Sequence, residues 1–284
     1  MRKQLFTIVL TLFAAAWAVG AAAGDGGPAP GPVLGWGGVL APSHAVRYVT
    51  FPSGRDTVVA AVRVDGGRIA RWRIVRGAFG IPSVAYDGTT EGVSRDGRTL
   101  VLSSWTPQPS PGIVTRFAVL STANFGLRKV VALRGSFSFD ALSPDGSILY
   151  VIQYLSSPDP IRYRVRAVDL ASGRLDPGQI VDKREPDEQM NGQPVSRAWS
   201  RDGGWAFTLY SRNGEPPFVH ALDTRNRAAR CIDLPWRVRP EAVWTVRLGL
   251  SPDGRYIVVR QKGKRLALID AATFAVSAFR RPAA

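Results

Sequence analysis

Ser94-Arg95-Asp96-Gly97, Ser143-Pro144-Asp145-Gly146, Ser200-Arg201-Asp202-Gly203 and Ser251-Pro252-Asp253-Gly254 are four copies of one turn in a chain of 284 residues. Successive aspartates stand 49, 57 and 51 positions apart, and a short apolar run lies on both sides of each turn. A period near fifty with that pattern is the spacing of a four-stranded propeller blade. Asp and Gly tolerate the left-handed backbone angles of a tight hairpin, so each copy joins a first strand, A, to a second, B.

Outward from the turns, the B strands read as residues 100–104, 148–154, 205–210 and 256–261. These runs, rich in β-branched and aromatic residues, suit sheets covered on both faces. Third strands close on Val119-Leu120-Ser121, Ala167-Val168-Asp169, Ala221-Leu222-Asp223 and Leu268-Ile269-Asp270, and fourth strands follow at 129–133, 174–181, 230–234 and 274–279. A degenerate first copy lies upstream, where 62–69 matches 168–175 across the same hairpin. It places strands at 46–51, 57–64 and 68–75, with 33–39 the candidate to supply its A strand. The fold expected is all-β: a β-propeller of about five four-stranded blades, its ring closed, with six blades or an incomplete ring as alternatives. Residues 44–281 form a single domain behind a Gly/Pro/Ala-rich linker, 24–43.

The repeats resemble the WD-like and YVTN-type propeller repeats. Ser200 to Asp223 is also similar to the TolB-type blade, in which Ser-Pro-Asp-Gly-Arg precedes an apolar strand and a strand ending in Asp. The whole chain resembles exported propeller proteins of GC-rich bacteria. That resemblance implies a fold and carries no activity with it, because such repeats serve in scaffolds, extracytoplasmic binding proteins and a few enzymes.

Arg2 and Lys3 precede an apolar run, 5–19, and Ala21-Ala22-Ala23 offers small residues for cleavage, so 1–23 reads as a signal peptide and the body as exported. An uncleaved anchor is the alternative, since an apolar stretch of this length just spans a bilayer. The formal charge is +15, and 32 of the 37 basic residues are arginine. They are dispersed along strands, as Arg164 and Arg166 alternate with Tyr163 and Val165, which suits a solvated surface. An anionic polymer stays open as a partner, but no basic stripe interleaved with aromatics points to nucleic acid. The lone Cys231 reads as a small hydrophobe packed between sheets, and with only His44 and His220 no zinc site is expected.

Propeller sites gather at the face carrying the B–C and D–A loops. The longest are 77–90, 105–115, 155–161, 182–194, 211–217 and 234–242, and Trp105, Tyr154 and Trp236 are candidate contact residues there. Aligning the A strands on their Ser puts Glu91, Asp140 and Arg197 at one level, with Leu248 in the last blade. At the channel mouth such charges bind a ligand or satisfy one another. The charged run 182–188 reads as a solvated gate. There is no Gly-x-Ser-x-Gly, P-loop, His-Glu-x-x-His or sialidase box, so no catalytic residue, metal or cofactor is expected. The function expected is a non-catalytic exported propeller that binds a protein or envelope component. The alternative is a glycan or lactone hydrolase that uses Glu91 and Asp140 as its carboxylate pair.

Overall fold

The computed structural model describes residues 30–278 apart from 107, 156–160, 188, 213 and 237–239. The expected signal peptide 1–23, the first part of the linker and the end of the last D strand at 279 lie outside the described residues. Five antiparallel sheets follow one another along the chain. Blade 1 is β1 (Gly35–Leu40), β2 (Val46–Ser53), β3 (Asp56–Arg63) and β4 (Ile69–Val75). Blade 2 is β5 (Thr99–Ser103), β6 (Val114–Ser121) and β7 (Leu127–Arg134), and blade 3 is β8 (Ser136–Leu142), β9 (Ile148–Tyr154), β10 (Tyr163–Asp169) and β11 (Arg174–Leu175). Blade 4 is β12 (Gln193–Trp199), β13 (Trp205–Ser211), β14 (Phe218–Asp223) and β15 (Ala228–Asp233). After a short helix, α1 (Pro240–Val243), blade 5 is β16 (Val246–Leu250), β17 (Tyr256–Gln261), β18 (Lys264–Asp270) and β19 (Val276–Ala278). This is a five-bladed β-propeller fold.

The four Ser-x-Asp-Gly turns are chemically identical. In each, the Gly amide donates to the Ser carbonyl, as Gly146 does to Ser143 at 2.9 Å. The Ser hydroxyl donates to the Asp carboxylate, as Ser143 does to Asp145 at 2.6 Å, and accepts the amide that opens the B strand, Ile148 N to Ser143 Oγ at 2.9 Å. The glycines sit at φ of 67 to 76°, in the left-handed region. Every turn aspartate is therefore consumed locally, and the serine hydroxyl holds the Asp145, Asp202 and Asp253 carboxyls below the usual range.

Two strands depart from expectation, each for a backbone reason. Blade 2 has three full strands. Its A segment pairs only through the Val93–Leu100 bridge and the Val101 amide on the Gly92 carbonyl at 2.7 Å. Gly92 sits at φ 115°, where a Cβ would lie 2.5 Å from the Val101 carbonyl, so the segment bends out of the ladder. In blade 3 the fourth strand stops at Leu175 rather than running to 181, because Pro177 has no amide to donate. The Arg166 guanidinium takes the stranded Asp176 and Gly178 carbonyls instead, and the chain touches the sheet again at Ile180.

Four apolar cores lie between consecutive blades. Tyr48, Val59 and Ile81 meet Leu100 and Leu102 between blades 1 and 2, and Phe117 meets Phe137 and Leu149 between blades 2 and 3. Tyr150, Tyr163 and Tyr210 fill the third interface and Phe207, Val219, Ile257 and Val259 the fourth. Among the described residues no such core joins blade 5 to blade 1. The second face of blade 1 carries a small cluster drawn from that blade alone, Val49, Ala60, Val62 and Phe51. The described residues thus show four inter-blade cores for five blades, and the fifth interface that the expected closed ring would need has no joint core among them, although Val49, Ala60 and Val62 on that side of blade 1 are buried.

The turns also bridge blades, for a Cβ on Gly146 would lie 2.7 Å from Thr99 Oγ1 and 2.9 Å from the Ser94 Cβ of blade 2, whereas one on Gly54 meets nothing within 4 Å. Both glycines have positive φ, so alanine costs roughly 1–2 kcal/mol of backbone strain at either site. Gly146→Ala is expected to lose at least about 1 kcal/mol more than Gly54→Ala in urea unfolding, because the overpacking term acts only there.

Candidate functional site: the buried charges at the centre

Arg197, on the inner strand of blade 4, reaches across the centre of the array. Its Nη2 hydrogen-bonds Asp140 Oδ1 of blade 3 and the Asp140 carbonyl, the latter at 3.1 Å, and its Nη1 lies 3.7 Å from Glu91 Oε1 of blade 2. Trp199, two residues along the same strand and so on the same face, donates its indole N–H to Glu91 Oε1 at 2.6 Å. Asp140, Arg197 and Glu91 are all buried, at 1%, 6% and 9% exposure. One guanidinium thus ties three blades together while facing two carboxylates.

Burial pushes the Glu91 carboxyl up to about 7, against the Arg197 charge and the Trp199 hydrogen bond, which both pull it down. Near neutral pH Glu91 is then about half protonated. Asp140 keeps the closer hold on Arg197, although its Oδ2 and the Arg197 Nε have no hydrogen-bond partner among the described residues. This is an internally paired cluster, as buried charges require.

Access to it differs from expectation. The loop-face mouth is closed by segment 76–90: the Tyr86 and Asp87 amides donate to the Pro194 and Val195 carbonyls at 3.0 and 3.1 Å, at the start of β12. The Tyr86 ring packs edge-on to Trp244, 5.4 Å away, just before β16. Glu91 is reached instead from the Asp-Gly turn side. There a cavity of about 190 Å³ runs between Val39, Ala41, Pro42 and His44 of blade 1, Glu91 and Arg95 of blade 2, and Trp199 of blade 4. Asp140 and Arg197 do not line it.

The other expected contact residues divide sharply. Trp105 is 63% exposed, with its ring against Gly31. Tyr154 is buried between blades 3 and 4, its hydroxyl 3.1 Å from Ser138 Oγ, and Trp236 is buried between blades 4 and 5. Neither offers surface to a partner. The run 182–188 is anchored rather than free at its first residue: Asp182 is buried and accepts the Arg184 guanidinium and the Arg184 and Cys231 amides. Burial would raise that carboxyl, but those hydrogen bonds hold it at about 2. Cys231 is half-buried, with Sγ 4.0 Å from Nδ1 of His220, whose imidazole burial drives down to about 4 and so keeps neutral. Among the described residues no three His, Cys, Asp or Glu side chains are grouped to hold a metal. Trp199, Tyr86 and Trp244 were not singled out by the repeat. Only the i, i+2 spacing of Trp199 from Arg197 signalled a shared face.

No protein-family model matches the chain, and no curated protein matches it. Among solved structures it is similar to the β-propeller domain of Cps50 (Swd1) from Myceliophteria thermophila, at 13% identity and a TM-score of 0.49, over 84% of this chain and 69% of that one. It is also similar to TolB from Acinetobacter baumannii, at 14% identity and a TM-score of 0.39 over 82% of this chain, and spans 56% of that protein's length. A putative TolB from Agrobacterium tumefaciens matches at 14% identity and a TM-score of 0.44, over 84% of this chain and 78% of its own.

Two measurements test the cluster. Arg197→Leu leaves Asp140 buried without its counter-charge and is expected to cost about 3–5 kcal/mol in denaturant unfolding. Glu91, whose pKa is higher folded than unfolded, keeps its proton longer in the folded state. Its contribution to stability is full below the ordinary carboxylate range and is lost as the pH rises through about 7. Wild type should therefore lose stability between about pH 5 and 7, and Glu91→Gln should flatten that part of the profile.

Proposed function

We propose that this chain is an exported, non-catalytic propeller that binds a protein or envelope component through its loop-rich face. The observation that carries the reading is the central arginine clamp. Arg197 is engaged by both candidate carboxylates, and Asp140 does not line the cavity that reaches Glu91. A hydrolytic pair needs two carboxyl groups that reach one substrate, with room for a water or a glycosyl intermediate between them. Glu91 and Asp140 share a cation instead, which removes the support for a glycan or lactone hydrolase.

The loop face has the character of a platform. Segment 76–90 covers the mouth, so a partner meets a surface rather than a channel. Trp105 stands exposed on this face, and Trp244, partly exposed, is braced by Tyr86. Large aromatic side chains held by a rigid scaffold are the residues that most often anchor macromolecular contacts.

The test is capture from envelope extract on immobilised protein, with bound proteins and glycans identified by mass spectrometry. Trp105→Ala with Trp244→Ala is expected to reduce recovery of the captured component by roughly tenfold, the loss typical of removing an anchor. Equal recovery by the double variant and the wild type would exclude this face.

A further inference from the structure

The free end of blade 1 presents a surface of different chemistry. Cross-strand register lines up three rows on its outer side: Leu40–Arg47–Val62–Ile69, Val49–Ala60–Trp72 and Phe51–Val58–Ile74. Trp36 packs edge-on to Phe51, 5.1 Å away, at the inner margin of the same side. Trp36 and Trp72 are 65% and 60% exposed, and Leu40, Ile69 and Ile74 are exposed with them. Val49, Ala60 and Val62 at the middle of these rows are buried, the exposed side chains lie around them, and no core among the described residues joins this side to another blade. A contiguous apolar patch of this kind marks an interaction surface.

Its surroundings are strongly basic. Arg55 in the β2–β3 turn, and Arg63 and Arg68 about the β3–β4 turn, are exposed at opposite ends of the patch. Residues 33–76 carry seven arginines against Asp56 and Asp65. The outer side of blade 5, the surface a second copy would offer head to tail, carries Arg247, Arg260 and Arg265 in one row. Like charges therefore oppose both that pairing and the pairing of two blade 1 faces. An occupant that complements the patch is apolar in its body and anionic at its surface.

We propose that the outer face of blade 1 docks on an anionic lipid bilayer, with Trp36, Trp72, Ile69 and Ile74 at the headgroup–acyl boundary and the arginines on lipid phosphates. Tryptophan favours that boundary, and clustered arginine is drawn to anionic leaflets. The chain's own layout points the same way. Only 11 residues separate the apolar stretch that ends at Ala23 from Gly35, where β1 starts. Fully extended they reach about 40 Å, so in the uncleaved-anchor alternative blade 1 is the first blade that the chain brings to the bilayer. Among the described residues no helix is long and apolar enough to cross a membrane; the contact proposed is with the bilayer surface.

Vesicle co-sedimentation tests this, with a chain beginning at Gly24 so that the leader contributes nothing; every described strand and core lies C-terminal to that point. Binding to phosphatidylcholine vesicles containing phosphatidylglycerol is expected to exceed binding to pure phosphatidylcholine and to weaken with salt. Trp72→Ser with Ile74→Ser, both exposed and so compatible with folding, should cut it by roughly tenfold, and Trp105→Ser on the loop face should leave it unchanged. Circular dichroism checks that the variants fold. Equal binding of wild type and double variant, or equal binding to neutral and anionic vesicles, overturns the proposal. So does a wild-type dimer in sedimentation velocity that the double variant abolishes without any vesicle binding, which would assign the face to a second copy. The loop-face capture above involves neither Trp72 nor Ile74, so the two readings fail separately.

Discussion

A sheet with apolar side chains on both faces has to be covered twice, and that constraint organises this protein. The B and C strands alternate nothing: β5 and β14 are buried at every position, and β9 at all but one. Such strands cannot face water on either side, so the blades stack and bury their faces against one another in pairs. Four interfaces satisfy five blades except at the ends. The outer side of blade 1, with Trp36, Trp72, Ile69 and Ile74 exposed around a buried centre, is where that rule has no second blade among the described residues to act on.

At the centre the same stacking brings three inner strands close enough for their side chains to meet. Two carboxylates and a guanidinium in that space could be a reactive site or a joint. Geometry makes them a joint: the arginine sits between the acids, the indole of Trp199 fills a remaining acceptor of Glu91, and Asp140 is buried and does not line the cavity. The raised carboxyl of Glu91 then follows from burial with an incomplete counter-charge, a structural cause of perturbation as sufficient as a catalytic one.

The blades were legible because their signal is local. Ser, Asp and Gly close a turn through bonds spanning at most five residues, and every copy does so in the same way. The first blade, with no Asp-Gly copy, could still be read because Val62 to Ile69 repeats a hairpin found elsewhere. Reading failed where one residue overruled the pattern: Pro177 ended the fourth strand of blade 3, and Gly92 bent the inner strand of blade 2. Tyr154 and Trp236 looked like loop-face anchors because aromatic residues suit a surface as well as an interface between sheets, and nothing in their neighbours along the chain distinguishes the two.

The sequence by itself determined the turn, the period, the number of blades and the strand order within each blade, since all of these rest on backbone preferences and alternation over a few residues. Tertiary structure alone decided that Arg197 meets both Asp140 and Glu91, that segment 76–90 closes one mouth while the cavity opens on the other, and that Trp36, Trp72, Ile69 and Ile74 of blade 1 stand exposed. Those outcomes depend on how segments 50 to 110 positions apart pack, and packing of that kind is set by the shape and volume of whole sheets rather than by any local code.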